Sequence, residues 1–185
     1  QTKEYKNLST TIIVPCYNEE RTVQRTIESL LGLDYPKDKL TIMVIDDGST
    51  DGTWNAIQAY THHENVTAMQ KENEGSKFAA LNFALTHVTT ELVGVLDADS
   101  WVAQDALIRY MEFFDDEDVM ATIPSMVIAE PNSFLRKAQK AEYDIGLFAR
   151  KSFAKLDAIY ITPGPFSVFR KSVFDTLGPY EEAHH

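Results

Sequence analysis

One cysteine in 185 residues leaves no internal disulfide framework and fits a reducing compartment. No stretch approaches the roughly 18 consecutive apolar residues of a membrane helix, and no secretory leader is visible. Basic side chains are few: 17 Lys and Arg stand against 28 Asp and Glu, a formal net charge of -11. So acidic a chain repels nucleic acid and anionic membrane surfaces, both of which are usually held through a basic patch. No nucleic-acid partner is expected, and a phosphorylated ligand requires local positive charge, most simply a metal ion. There is no Gly-x-Ser-x-Gly nucleophile turn, no Gly-x-Gly-x-x-Gly dinucleotide loop, no internal repeat and no low-complexity stretch.

What remains is ordinary globular usage, with 44% hydrophobic and 24% charged residues, enough for one compact domain with a sizeable core. Opening at Gln1 without Met and ending soon after Gly178-Pro179-Tyr180, the chain is expected to be a piece of a longer protein. His62-His63 and His184-His185 lack metal-ligand spacing and are left unassigned.

Apolar, β-rich runs alternate with segments of helical period. Strands are expected at 10–16, 40–45, 66–69 and 91–96. Helices are expected at 19–31 (Val23, Ile27, Leu30 and Leu31 on one face), from Thr53 (Trp54, Ile57, Tyr60), at 77–88 (Phe78, Leu81, Leu85, Val88) and from Ala103 (Leu107, Tyr110, Met111, Phe114). Such alternation means an α/β fold, a mostly parallel sheet with helices on both faces. After 119–129 the pattern changes. Residues 132–148 carry an amphipathic stripe (Phe134, Ala138, Ala141, Ile145, Phe148) that reads as a helix covering the sheet or docking on a membrane or another domain. A strand at 158–162, a Pro-Gly-Pro turn, another strand and a small helix from Lys171 complete the chain.

In open parallel sheets ligands bind beyond the carboxyl ends of the strands, and here those ends are acidic. The first strand runs into Pro15-Cys16-Tyr17-Asn18-Glu19-Glu20, the second into Asp46-Asp47-Gly48-Ser49, the fourth into Asp97-Ala98-Asp99-Ser100. Asp97 and Asp99, alternate residues leaving a strand, can face one point as hard oxygen ligands for Mn2+ or Mg2+. Each motif taken alone also serves as a turn or helix cap; the convergence of three strand ends on one rim favours a ligand site. Asp46 and Asp47 could accept hydrogen bonds from a nucleobase or ribose. Lys77 at a helix N-terminus suits a diphosphate. Cys16 has no activating partner and reads as a small buried group.

Together, IIVPCYNEE (12–20), VIDDGSTDGT (44–53), NEGSKFAALN (73–82), VLDADS (95–100) and PGPFSVFRK (163–171) followed by LGPY resemble the family-2 glycosyltransferases of the GT-A fold. The resemblance implies a single GT-A domain, with a nucleotide-binding half at 1–120 and a partial acceptor half at 121–185. It implies that Pro15, Tyr17, Glu19, Asp46 and Asp47 line the nucleotide pocket, that Lys77 secures the donor, and that Asp97 and Asp99 hold the metal. The implied reaction is metal-dependent, inverting transfer from a nucleotide-sugar, a UDP-sugar before others, to a glycan or lipid-linked acceptor. The implied parent is a polysaccharide synthase or lipid-sugar transferase attached to the cytoplasmic side of a membrane. The family's Glu-Asp base motif is expected beyond His185, so no catalytic base is assigned, and this chain is expected to bind donor but transfer poorly.

Two other classes share parts of the pattern. A receiver-like signalling domain would use Asp46-Asp47 as its acidic pair and Asp97 as phospho-acceptor, but needs that pair after its first strand and a Lys after its fifth. A haloacid-dehalogenase-type phosphatase would use Asp97-x-Asp99, but normally near the start of its domain.

Overall fold

A computed structural model describes residues 6–124, 133–154 and 165–181. The elements run β1 (Thr10–Cys16), α1 (Val23–Leu31), β2 (Leu40–Asp46), α2 (Thr53–Gln58), β3 (Val66–Gln70), α3 (Lys77–Leu85), β4 (Leu92–Val95), α4 (Ala106–Phe114), β5 (Ala121–Thr122), α5 (Phe134–Ala154), β6 (Ser167–Arg170) and α6 (Lys171–Leu177). The strand expected at 158–162, most of the Pro-Gly-Pro turn and His184-His185 lie outside the described residues.

The six strands form one sheet in the order β3-β2-β1-β4-β6-β5. The first four pair in parallel, whereas β6 runs antiparallel to both β4 and β5. Side chains alternate across the sheet, so each strand feeds two cores. Ile12, Val14, Ile42, Val44 and Leu92 pack with Val23, Ile27 and Leu30 of α1, Ile57 of α2, and Leu107, Met111 and Phe114 of α4. Ile13, Met43, Ile45, Val93 and Val95 pack on the opposite side with Ala80, Leu81, Ala84 and Leu85 of α3. Full burial of one such Ile or Leu is worth about 1.5–3 kcal/mol. Two buried faces explain why these strands read as unbroken apolar runs. The expected α/β sheet with helices on both faces is the observed one; Phe78, expected inward, is half-buried.

The chain divides by contacts into residues 1–122 with 164–185, and residues 123–163. Strand β6, from the far end of the chain, re-enters the sheet beside β4. Helix α5 belongs to the second unit; its Phe134, Leu135 and Ile145 are exposed.

Pro15 shapes the site from within β1. Leu96 N–H donates to the Ile13 carbonyl on the β4 side, and Asp47 N–H donates to the Cys16 carbonyl on the β2 side. Alternation turns the nitrogen of Pro15 towards β4, beyond the last paired residues Ile13 and Val95. A residue without an N–H ends that ladder at no loss of a bond, and the sheet opens between β1 and β4, where strand order reverses.

Candidate functional site

The carboxyl ends of β1, β2 and β4 and the start of α3 enclose a cleft of about 530 Å³, lined by Pro15, Tyr17, Glu19, Asp47, Ser76, Lys77, Asp97 and Asp99 among others. Seven of the eight residues singled out from the sequence are thus brought together. The eighth, Asp46, is not on the cleft wall. It is fully buried, accepting Ser49 N–H on one carboxylate oxygen (3.2 Å) and Gln70 Nε2 on the other (2.7 Å). Adjacent strand residues point to opposite faces, so Asp47 turns to the cleft and Asp46 pins the β2–α2 turn. A more open hollow of about 610 Å³, lined by Gly32, Leu33, Asp34, Gln104 and Asp105, gathers none of the converging side chains.

Two loops at the strand ends are stitched to each other. Asn18, in left-handed backbone geometry at φ 56°, donates its N–H to Ser49 Oγ (2.9 Å) and accepts Thr50 N–H on its side chain (2.8 Å). Glu20 accepts Gly52 N–H at 2.9 Å, and Glu19 N–H donates to Thr53 Oγ1 at 2.7 Å. These bonds hold residues 17–22 as a loop, which is why α1 begins at Val23 and not at Glu19. Thr22 Oγ1 donates to the Glu19 carboxylate at 2.5 Å, fixing how it faces the cleft. Gly48 sits at φ 70°, where a Cβ would come within 2.8 Å of the Asn73 nitrogen, so the turn after Asp47 requires glycine.

Lys71 and Thr26 support the cleft without having been singled out in the sequence. Lys71 Nζ lies 2.8 Å from Asp47 Oδ1 and 2.9 Å from Glu74 Oε1, and donates to the Glu72 carbonyl at 2.6 Å. Burial alone would lower its pKa; the hydrogen bonds and charges of Asp47 and Glu74 outweigh burial and raise it. Nothing in the local pattern around Lys71 announces a partner 24 residues away. Thr26, fully buried in α1, has its hydroxyl 2.8 Å from the Ala98 carbonyl and 2.7 Å from that of Ser100. It tethers the loop that carries Asp97 and Asp99. The available signal was a threonine within the apolar stripe of α1.

Ser76 caps α3, its Oγ accepting Phe78 N–H at 3.2 Å. Lys77, the first residue of that helix, forms an ion pair with Asp97 Oδ1. Among the described residues, Asp99 carries only a 3.3 Å bond from Ser100 Oγ. Cys16 lines the cleft with its thiol buried; burial, then the charges of Asp46 and Glu19, push its pKa up, so it remains a neutral thiol and no nucleophile.

The donor chemistry suits a hard divalent cation. Asp97 and Asp99 offer only oxygen, and Asp97 already attracts a cationic group, the Lys77 ammonium. Among the described residues no three His, Cys, Asp or Glu gather to hold a metal unaided. Mg2+ and Mn2+ are commonly held by one or two protein carboxylates, with water and substrate phosphates completing the shell, so a pair of aspartates fits.

Known proteins resemble the chain over most of its length. A poly-beta-1,6-N-acetyl-D-glucosamine synthase of Staphylococcus epidermidis is 32% identical over 172 residues, covering 91% of this chain and 41% of the synthase. A beta-monoglucosyldiacylglycerol synthase of Nostoc sp. is 28% identical over 175 residues, covering 92% and 37%. The chain thus spans about two fifths of the length of these curated relatives. Among solved structures, a mannosyltransferase from Pyrobaculum calidifontis in complex with GDP-Man and Mn2+ superposes with a TM-score of 0.74 at 27% identity, covering 97% of this chain and 51% of the other. Neither the receiver nor the phosphatase reading keeps its support: the acidic pair follows β2, and the matched segment crosses the whole sheet. Residues 11–178 match the family described as Glycosyl transferase family 2, and the chain belongs to that family.

Proposed function

We propose that this chain is the donor-binding part of an enzyme that transfers a sugar, with inversion, from a nucleotide-sugar to a hydroxyl of a glycan or lipid-linked acceptor. A UDP-sugar is the donor we favour. The observation that carries this reading is the single cleft where Glu19, Asp47, Asp97, Asp99 and Lys77 meet the start of α3. The related synthases and the mannosyltransferase bound to GDP-Man and Mn2+ support it.

Asp47 gives one carboxylate oxygen to Lys71, and the other accepts a base N–H or ribose hydroxyl. The half-exposed ring of Tyr17 offers a face for the base, with Pro15 as the rigid wall opposite β4. The positive end of the α3 dipole and the ammonium of Lys77 receive diphosphate oxygens. Asp97 and Asp99 hold Mn2+ or Mg2+. When bound, such an ion supplies Lewis-acid stabilisation of the charge left on the diphosphate as the sugar–oxygen bond breaks. The acceptor oxygen attacks from the opposite side and loses its proton to a carboxylate; that base is assigned to no described residue.

The proposal includes a parent attached to the cytoplasmic side of a membrane. The lone cysteine suits a reducing compartment. No helix among the described residues is long and apolar enough to cross a membrane.

Calorimetric titration of UDP in the presence of Mn2+ tests the donor site, with GDP in parallel. Binding that disappears with EDTA and in Asp99→Ala, while circular dichroism shows that variant folded, is the expected result. Silence with both nucleotides would sink the reading.

A further inference from the structure

We infer that Lys77 competes with the divalent cation for Asp97, so that cation and nucleotide diphosphate bind this cleft cooperatively. The inference rests on the donor-site reading above and gives Lys77 a task beyond holding the donor.

Two lysines stand at the cleft, and they differ in freedom. Lys71 is committed: three N–H donors meet Asp47, Glu74 and the Glu72 carbonyl, and its side chain is 8% exposed. Among the described residues Lys77 has one acidic partner, Asp97, and the two side chains are 46% and 31% exposed. An ion pair this open to water holds weakly and is exchangeable. Its backbone is fixed by the Ser76 cap, and the flexible four-carbon stem lets the ammonium change partner without moving the helix.

The charges then decide what binds easily. A divalent cation arriving alone must break the Lys77–Asp97 pair and leaves an ammonium beside a doubly charged ion. A diphosphate arriving alone draws Lys77 away and leaves Asp97 and Asp99 facing another anion. Arriving together, they exchange partners: the cation takes Asp97 and Lys77 takes the diphosphate, with every charge opposed. Asp99, bonded among the described residues only to the Ser100 hydroxyl, needs no such exchange. Linkage makes the effect reciprocal: whatever factor the nucleotide adds to cation affinity, the cation adds to nucleotide affinity.

The test measures Mn2+ affinity without nucleotide, by calorimetry and by water-proton relaxation, in the wild type and in Lys77→Met, with and without Asp97→Asn. Lys77→Met is expected to tighten Mn2+ binding about fivefold and to remove most of the gain that UDP gives the wild type. With Asp97→Asn present, Lys77→Met should change Mn2+ affinity less than about twofold, because the competition acts through that carboxylate. Unchanged or weaker Mn2+ binding in Lys77→Met overturns the inference. So does a gain that persists beside Asp97→Asn, which would be charge acting through space. UDP–Mn2+ binding to the wild type without tighter Mn2+ in Lys77→Met removes the competition and leaves the donor site standing. Failure of UDP to bind the wild type removes both.

Discussion

Lys71 Nζ lies 2.8 Å from Asp47 Oδ1, and each side chain is 8% exposed, so the carboxylate at the end of β2 enters the cleft wall with its counter-ion attached. The lysine reaches it from just beyond β3, where Lys71 N–H donates to the Asp46 carbonyl at 3.0 Å and continues the β2–β3 ladder. Sheet pairing, rather than loop conformation, therefore sets where the cleft-facing carboxylate stands.

Lys71→Met should destabilise the fold by about 3 kcal/mol, because it strands a mostly buried carboxylate. Adding Asp47→Asn should restore much of that loss, since neither charge then remains unpaired. Urea unfolding of the two variants measures both numbers. A single variant within about 0.5 kcal/mol of the wild type would show that the pair has no structural role.

Asp46 and Asp47 should separate cleanly. Both oxygens of Asp46 accept from N–H donors, so in Asp46→Asn the amide nitrogen must face one of them. A stability loss of about 1–3 kcal/mol follows, with little change in UDP affinity for the folded variant. Asp47→Asn should instead lower UDP affinity about tenfold through a lost charged acceptor. Equal effects of the two substitutions on UDP binding would contradict the assignment of Asp46 to the turn.

The strands of the parallel sheet were legible because burial on both faces writes itself as apolar runs such as TTIIVPC. The stripe of α4 was equally plain, and Leu107, Tyr110, Met111 and Phe114 are all buried. Less visible was anything set by a distant partner. Side-chain alternation at a strand end decides between Asp46 and Asp47, and a one-residue register is not written in two identical letters. The start of α1 depends on bonds from Asn18 and Glu20 to the next loop. Strand β6 pairs with β4 more than 70 residues earlier, so no local period could place it there. Lys71 and Thr26 escaped for the same reason.

Thr26→Val keeps volume and removes the hydroxyl that meets the carbonyls of Ala98 and Ser100. A cost of about 1–2 kcal/mol is expected from the carbonyls left without that donor. The loop holding Asp97 and Asp99 loses its tether, so Mn2+ affinity in the presence of UDP should also fall, and Thr26→Ser should rescue it. Calorimetry on the three proteins decides. A valine variant with undiminished Mn2+ affinity would mean the loop is held by other contacts.

Acid should weaken a clamp at the opposite end of the sheet. The Glu91 carboxylate accepts Ser9 N–H at 2.8 Å and Ser9 Oγ at 3.0 Å, joining the approach to β1 to that of β4. The Ser9 backbone bond outweighs partial desolvation and, helped by the Ser9 hydroxyl, Lys6 and Lys39, lowers the pKa below its ordinary 4.5. A lowered folded value means that the unfolded chain takes up the proton first. The clamp's contribution is therefore full above the unfolded pKa and disappears as pH falls through the folded one. Because the group is open to solvent, the effect should not exceed about 1 kcal/mol. Glu91→Gln should be less stable than the wild type near pH 7, and the two should converge as pH falls below the ordinary glutamate value of 4.5. Urea midpoints across that range measure the gap; one that stays constant with pH would show that the carboxylate's charge contributes nothing to the clamp.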